Sequence, residues 1–209
     1  MINLLILIFI MTLFYIAISG RMFAVINLLA VQGILLFGVA FLTLREINLV
    51  NFLVILIETL VFKAIVVPYF FKRVIRTNNI KREVEPYISG YNSLIIVSVL
   101  IFLSFILSFN LQNAQLKVTF LTAAFSGIAT GLFLIVSRKK LITHTVGYMV
   151  LENGIVILSF SVGKEMPMAV NAGILLDILI SVLLFGLFIN KIASVYKDLE
   201  ISHLSKLSD

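Results

Sequence analysis

The feature that most constrains this chain is a series of apolar runs, each roughly 18 to 23 residues long. A helix rises about 1.5 Å per residue, so a run of this length crosses the hydrocarbon core of a bilayer, which is about 30 Å thick. Charges or Gly, Asn and Pro residues bound the runs. They predict an all-α membrane protein with about seven transmembrane helices, at 2–19, 22–44, 49–71, 92–109, 116–136, 141–162 and 167–190.

The composition agrees with a membrane environment. Hydrophobic residues make up 61% of the 209 positions and charged residues 12%, and the mean hydropathy is +1.17. A soluble domain averages about 25% charged residues. The first run resembles a cleaved signal peptide in its small residues near position 20, but it lacks a basic segment before the apolar run. We therefore expect a retained helix there.

The residue types that hold redox cofactors are scarce. The chain has no cysteine, which excludes thiolate-ligated iron–sulfur clusters, disulfides and zinc–cysteine sites. Its two histidines, His144 and His203, lie near a predicted helix end and in the tail, so a haem held between two intramembrane histidines is also excluded. Phosphate-loop, dinucleotide, HExxH and serine-elbow motifs are absent from the sequence. We expect no cofactor, no metal ion and no catalytic residue.

The distribution of basic residues predicts the orientation. If the N-terminus is outside, most of the 16 basic residues, including those of the polar loop 72–91, fall on the inner side. The positive-inside rule then places the C-terminus in the cytoplasm and the chain, as a multi-pass protein, in the cytoplasmic (inner) membrane. The net charge of +6 is explained without nucleic acid. The predicted divisions are a three-helix segment with its basic loop (1–91), a linking helix (92–115), a three-helix module (116–195) and a cytoplasmic tail (196–209).

Three carboxylates, Glu58, Glu152 and Asp177, lie inside the predicted helices. An ionised acid at the centre of a spanning helix costs about 2.5 to 3.5 kcal/mol, so such residues tend to mark ion pathways or contacts with partners. The alternative for each is an acid that is protonated, or that hydrogen-bonds a facing helix and serves assembly only.

Other polar residues accompany the acids. His144, Tyr148 and Glu152 are spaced i, i+4, i+8, so they form one stripe along which a proton could pass, although a histidine and a tyrosine near the interface are also common membrane anchors. Lys63 is five residues from Glu58 and about 140° round the helix from it, so the two are poor partners; Lys63 could instead snorkel towards the interface.

Two further features favour helix packing over chemistry. Gln32 is a mid-membrane amide that we interpret as an interhelical contact. Gly127 and Gly131 form a GxxxG spacing, which permits close approach of another helix and is common in membrane proteins.

The segments SRKKLITHTVGYMVLENGIVILSF and AGILLDILISVLLFGLFINKI resemble a known type of subunit. They are similar to the three-helix NuoK and MrpC subunits of respiratory complex I and of multisubunit cation/proton antiporters. Arg138 to Lys140 match the basic turn of that family, Leu151 to Gly154 its acid motif, and Asp177 its second acid, which is usually Glu. With its additional N-terminal helices, the chain resembles HyfE, component E of hydrogenase-4-type membrane complexes.

The resemblance implies a non-redox, non-catalytic subunit of a membrane oxidoreductase complex, an energy-converting hydrogenase or complex I-like assembly. Its implied partners are antiporter-like and quinone-site-like membrane subunits and, indirectly, a hydrogenase or related redox module. Protons or coupling cations would be relayed through the carboxylates. A free-standing secondary transporter and a structural spacer subunit are the alternatives. The candidate relay residues are Glu152, Asp177, Glu58, Lys63, His144 and Tyr148.

Overall fold

The computed structural model describes residues 1–43, 53, 56–77, 86–111, 117–161 and 186. Within these ranges every regular element is a helix and no strand is present. The predicted seventh helix, 167–190, lies outside the described residues except for Gly186, which is helical and packs against the ring of Phe70. The elements are α1 (Ile2–Ile18), α2 (Met22–Thr43), a π-helix (Leu56–Val66), α3 (Val67–Thr77), α4 (Gly90–Asn110), α5 (Val118–Ser137) and α6 (Leu141–Ser161).

Three of the described helices are long and apolar enough to cross a membrane: α2, α4 and α5. None of the three contains an acidic or basic residue, and each has about the length that a 30 Å hydrocarbon core requires. α1 is also apolar, but at 17 residues it is shorter than these three helices. The helical class of the protein is therefore confirmed, and these helices indicate a membrane protein.

The predicted bounds of α1, α2, α4, α5 and α6 are confirmed to within two residues. The third helix differs, because it was predicted to end at 71 and the described helix continues through α3 to Thr77. The prediction ended the helix before the basic cluster that begins at Lys72. In the structure Phe71, Val74 and Ile75 are buried, while Arg73 and Arg76 are exposed. Buried apolar side chains at helical spacing thus continue the helix beyond the point where the basic residues begin.

Among the described helices, the most extensive contact joins α5 to α6 through glycines. A Cβ atom at Gly131 would lie 2.5 Å from the backbone nitrogen of Leu151 and 2.7 Å from the carbonyl oxygen of Gly147. A Cβ atom at Gly154 would lie 2.7 Å from the backbone nitrogen of Ile128. The predicted close approach at the GxxxG spacing is confirmed, and its partner is α6.

α2 approaches the π-helix in the same way. A Cβ atom at Gly33 would lie 2.8 Å from the backbone nitrogen of Ala64 and 3.0 Å from the carbonyl oxygen of Thr59. The backbones of α2 and the π-helix are therefore in direct contact beside Lys63. α1 packs against α2, α4 and α5, so it closes one side of the bundle.

We expect Gly131→Ala to lower the free energy of unfolding by about 1 to 3 kcal/mol, the usual effect of adding atoms to a closely packed site. Gly20→Ala is the matched control, because no atom lies within 4 Å of the Cβ position at Gly20. The measurement is the thermal midpoint of the purified full chain in lipid nanodiscs, followed by circular dichroism. Equal midpoints for the two variants would contradict the packing described.

Candidate functional site: a buried polar network

Five polar side chains from four helical elements meet inside the bundle. α1 supplies Thr12, α2 supplies Gln32, the π-helix supplies Lys63, and α6 supplies Glu152 and Asn153. All five are buried. Since hydrogen-bonded members of the set are separated by as many as 121 residues in the chain, only the packing of the helices brings them together.

The centre of the network is the pair formed by Lys63 and Glu152. The Lys63 Nζ atom donates to Glu152 Oε1 at 2.7 Å and to Asn153 Oδ1 at 3.2 Å. The side chains of Lys63 and Glu152 are 4% and 7% exposed. As a whole the pair is neutral, whether the shared proton resides on the amine or on the carboxylate. The attraction between the two groups offsets the desolvation that each would suffer alone.

A second arm of the network runs from Asn153 to α1. Asn153 Nδ2 donates to Gln32 Oε1 at 2.9 Å, and Gln32 Nε2 donates to Thr12 Oγ1 at 2.8 Å. The Thr12 hydroxyl donates in turn to the carbonyl oxygen of Phe9. Along this arm each side chain thus accepts a hydrogen bond from the side nearer Lys63 and donates to the next group. Because Asn153 must present its oxygen to Lys63, its amide and that of Gln32 can each take one orientation only. The predicted interhelical role of Gln32 agrees with this arrangement.

Lys63 lies in an unusual element. The π-helix from Leu56 to Val66 has a wider backbone ladder, with i to i+5 hydrogen bonds, and such segments are rare and frequent at functional sites. A change in helical pitch alters the direction of the side chains that follow it. The angle calculated between Glu58 and Lys63 for a regular α-helix therefore does not apply, and the carboxylate that pairs with Lys63 is Glu152.

The structure places the other predicted residues as follows. His144 lies at the start of α6, where its Nε2 atom is 2.8 Å from the carbonyl oxygen of Arg138. Tyr148 is half-buried and packs against the apolar core. The backbone of Glu58 belongs to the π-helix, and its side chain lies outside the described residues, as does Asp177. The stripe from His144 to Glu152 is present on α6, and its use by protons stays a prediction.

Sequence reasoning missed two members of the network, Thr12 and Asn153. Asn153 directly follows Glu152, and an intramembrane amide next to an acid is a signal that could have identified it. Thr12 had no such signal, because a threonine in an apolar helix usually bonds to its own backbone. It does so here as well, and it accepts the bond from Gln32 besides.

One end of the bundle is fastened by Arg138. Its Nη2 atom donates to the carbonyl oxygens of Ala17 at 2.7 Å and Ile16 at 3.3 Å, at the C-terminal end of α1. Burial lowers the pKa of Arg138 to about 10, so it stays protonated at neutral pH. The backbone N–H of Tyr87 donates to the carbonyl oxygen of Ser137 at 2.8 Å. The end of α1, the start of α4 and the end of α5 thus lie together.

We expect Lys63→Met to lower the free energy of unfolding by about 3 to 5 kcal/mol, because it leaves the Glu152 carboxylate buried without its cation. Adding Glu152→Gln to this variant removes that carboxylate, so the double variant should be more stable than Lys63→Met alone. The measurement is denaturation of the four chains of this double-mutant cycle in nanodiscs. Additive effects of the two substitutions would show that the pair is not coupled.

The chain is similar to a curated protein over most of its length. The uncharacterized protein Rv0085 of Mycobacterium tuberculosis (strain ATCC 25618 / H37Rv) is 26% identical over 189 residues, which cover 89% of this chain and 86% of that protein. No protein-family model matches the chain, and no solved structure matches it. The similarity extends over most of both chains and carries no activity with it.

Proposed function

We propose that this chain is a non-redox membrane subunit of an energy-converting hydrogenase or complex I-like assembly, and that it relays protons or coupling cations. The observation that carries the proposal is the Lys63–Glu152 pair, which is buried among helices rich in apolar residues. Two groups that can both hold a proton lie 2.7 Å apart. A proton can pass between them without leaving a net charge inside the membrane.

The energy for such a step must come from elsewhere in the assembly. Moving one elementary charge against 100 mV costs about 2.3 kcal/mol. With no cysteine and two histidines, the chain lacks the ligands for the usual electron carriers. Contact with the antiporter-like and quinone-site-like subunits would therefore supply the energy, and the charge on a neighbouring subunit would shift the proton between Lys63 and Glu152.

The proposed route joins the described pair to the remaining candidates. Tyr148 and His144 offer an inlet along α6, since they lie on the stripe that ends at Glu152. Glu58, one of the π-helix residues, and Asp177 would carry the proton onwards. The amides of Gln32 and Asn153 hold the pair in place and take no part in transfer.

The proposed topology has seven spans, with the N-terminus outside and the C-terminus in the cytoplasm. The joining of the α1 and α5 ends through Arg138 supports it, because this basic turn and Arg21 then share the cytoplasmic side. The cytoplasmic membrane is the proposed location.

The orientation can be tested with single cysteines, because the chain has none of its own. We expect Lys139→Cys to react with a membrane-impermeant maleimide in inside-out vesicles, and Lys117→Cys to react in right-side-out vesicles. The pair forms its own control, since one substitution lies at each end of α5. The reverse pattern would overturn the orientation.

The proposed function is tested by Glu152→Gln in the assembled complex. The variant keeps the shape of the side chain but can no longer take up and release a proton, so we expect a large loss of ion pumping per electron transferred. Proton uptake into vesicles and electron transfer are measured on the same preparation, with Glu85→Gln in the polar loop as control. Unchanged pumping at unchanged electron transfer would exclude the relay.

A structural spacer is the second candidate, and the linkage of four helical elements by one network favours it. It differs in what Glu152→Gln does. For a spacer, the substitution lowers the amount of assembled complex, and the complexes that do assemble pump normally. The yield of complex is therefore measured beside the pumping ratio.

A further inference from the structure

The turn that joins α5 to α6 contains three consecutive basic residues, Arg138, Lys139 and Lys140. The buried guanidinium group of Arg138 bonds to carbonyl oxygens at the end of α1. Lys139, in contrast, is only partly buried, and its Nζ atom lies over the ring of Tyr87, 5.3 Å from the ring centroid. This cation–π contact holds the Lys139 ammonium group at a defined place on the surface of the bundle.

The end of the bundle around Lys139 is strongly positive. Arg21 is exposed close to the basic turn, because Arg138 binds the carbonyl oxygen of Ala17, four residues before Arg21. The two acidic residues that the structure describes lie elsewhere, in the π-helix beside the middle of α2 and in the middle of α6. The polar loop, joined to the basic turn by the bridge between Pro86 and Arg138, contains five basic and two acidic residues in the sequence. An anionic group is therefore attracted to this end.

α4 presents a broad apolar face next to this charge. It is the least buried of the three described helices that are long and apolar enough to span a membrane. The exposed side chains along one side of it are those of Tyr91, Ile95, Val99, Phe102, Ile106 and Phe109. At 100° per residue these positions lie within about 80° of one another, and the buried Val97 lies on the opposite side. We refer to these six residues as the outer face of α4.

The contact of Lys139 with Tyr87 is at one end of the outer face. Tyr87 precedes the first residue of α4 by three positions, and Tyr91 is the second residue of the helix. The two tyrosines are 57% and 74% exposed. Tyrosine is enriched at the level of the lipid headgroups, where its ring contacts apolar groups and its hydroxyl group contacts water. The outer face thus begins at the headgroup level, beside a lysine, and continues along α4 into the apolar core of the membrane.

We propose that Lys139 and the outer face of α4 form a binding site for an anionic phospholipid. The phosphate of the lipid accepts a hydrogen bond from the Lys139 ammonium group, whose three donors are not all used by the contact with the Tyr87 ring. An acyl chain of the lipid lies along the outer face. The charges on Lys139 and Arg21 select an anionic lipid over a zwitterionic one.

The basic turn has a second explanation, which is the orientation of the chain. The positive-inside rule accounts for basic residues at one end of a bundle without any ligand. The rule is satisfied equally by a lysine side chain that extends into water. The contact with Tyr87 instead keeps Lys139 beside the outer face of α4. The lipid site depends on the membrane environment alone and not on the proposed coupling role.

A single introduced tryptophan reports which lipid lies beside it, because the chain has no tryptophan of its own and bromine on an acyl chain quenches indole fluorescence. Tyr91→Trp puts the reporter at the proposed site. Phe109→Trp is the matched reporter, since it lies on the same side of α4 about five turns away, at the other end of the helix. The full chain is reconstituted in vesicles with phosphatidylcholine and phosphatidylglycerol in both leaflets, and one of the two lipids is brominated. The result is then independent of the orientation of the chain.

We expect the preference for phosphatidylglycerol over phosphatidylcholine to be at least about five times stronger beside Tyr91→Trp than beside Phe109→Trp, because one basic residue contributes about 1 kcal/mol. Adding Lys139→Gln to Tyr91→Trp should remove a preference of that size. The control for this substitution is Lys117→Gln, since Lys117 also lies over an aromatic ring, that of Phe120, but at the other end of α5. This control should leave the preference at Tyr91→Trp unchanged.

Equal preferences at the two reporters would overturn the proposal, as would a preference at Tyr91→Trp that Lys139→Gln leaves unchanged. Either result would leave the charge of the basic turn explained by orientation alone. The comparison of the two reporters uses the chain with Lys139 intact, so it decides the matter even if Lys139→Gln fails to fold. Pumping by Glu152→Gln is measured separately, so the lipid site and the coupling role fail independently.

Discussion

The structure depends on the pairing of Lys63 with Glu152. Either group alone would be a charge in a medium of low dielectric, so the two must stay in contact for the helices to pack as they do. That requirement fixes the π-helix against α6 at one height and one rotation. Asn153 adds a second acceptor for the lysine, and through Gln32 it extends the same constraint to α2 and α1.

Glycine makes this contact geometrically possible. Apolar burial does little to bring helices together inside a bilayer, because the lipid is as apolar as leucine, and close backbone packing takes its place. Gly33 brings α2 onto the π-helix beside Lys63, and Gly154 brings α6 onto α5 beside Asn153. These glycines directly follow Gln32 and Asn153 in the chain. The polar groups therefore meet where the backbones approach most closely.

The apolar runs predicted α1, α2, α4, α5 and α6 because bilayer thickness limits helix length directly. They could not predict that the third helix continues to Thr77, since that depends on which side chains of α3 find a buried face. Lys63 and Glu152 were each recognisable as expensive in a membrane. Their pairing across 89 residues could not be predicted, because it follows from the pitch of the π-helix and from the glycine contacts.

The chemistry of the network separates its two arms. The arm through Asn153 and Gln32 ends at Thr12, whose hydroxyl donates to the backbone carbonyl of Phe9. Amide groups and a backbone carbonyl do not take up and release protons near neutral pH, so this arm has no outlet. A proton that reaches Lys63 or Glu152 must leave by another side. The proposed relay would therefore need another outlet, for which Glu58 and Asp177 are the candidates, while the amide arm holds the pair in place.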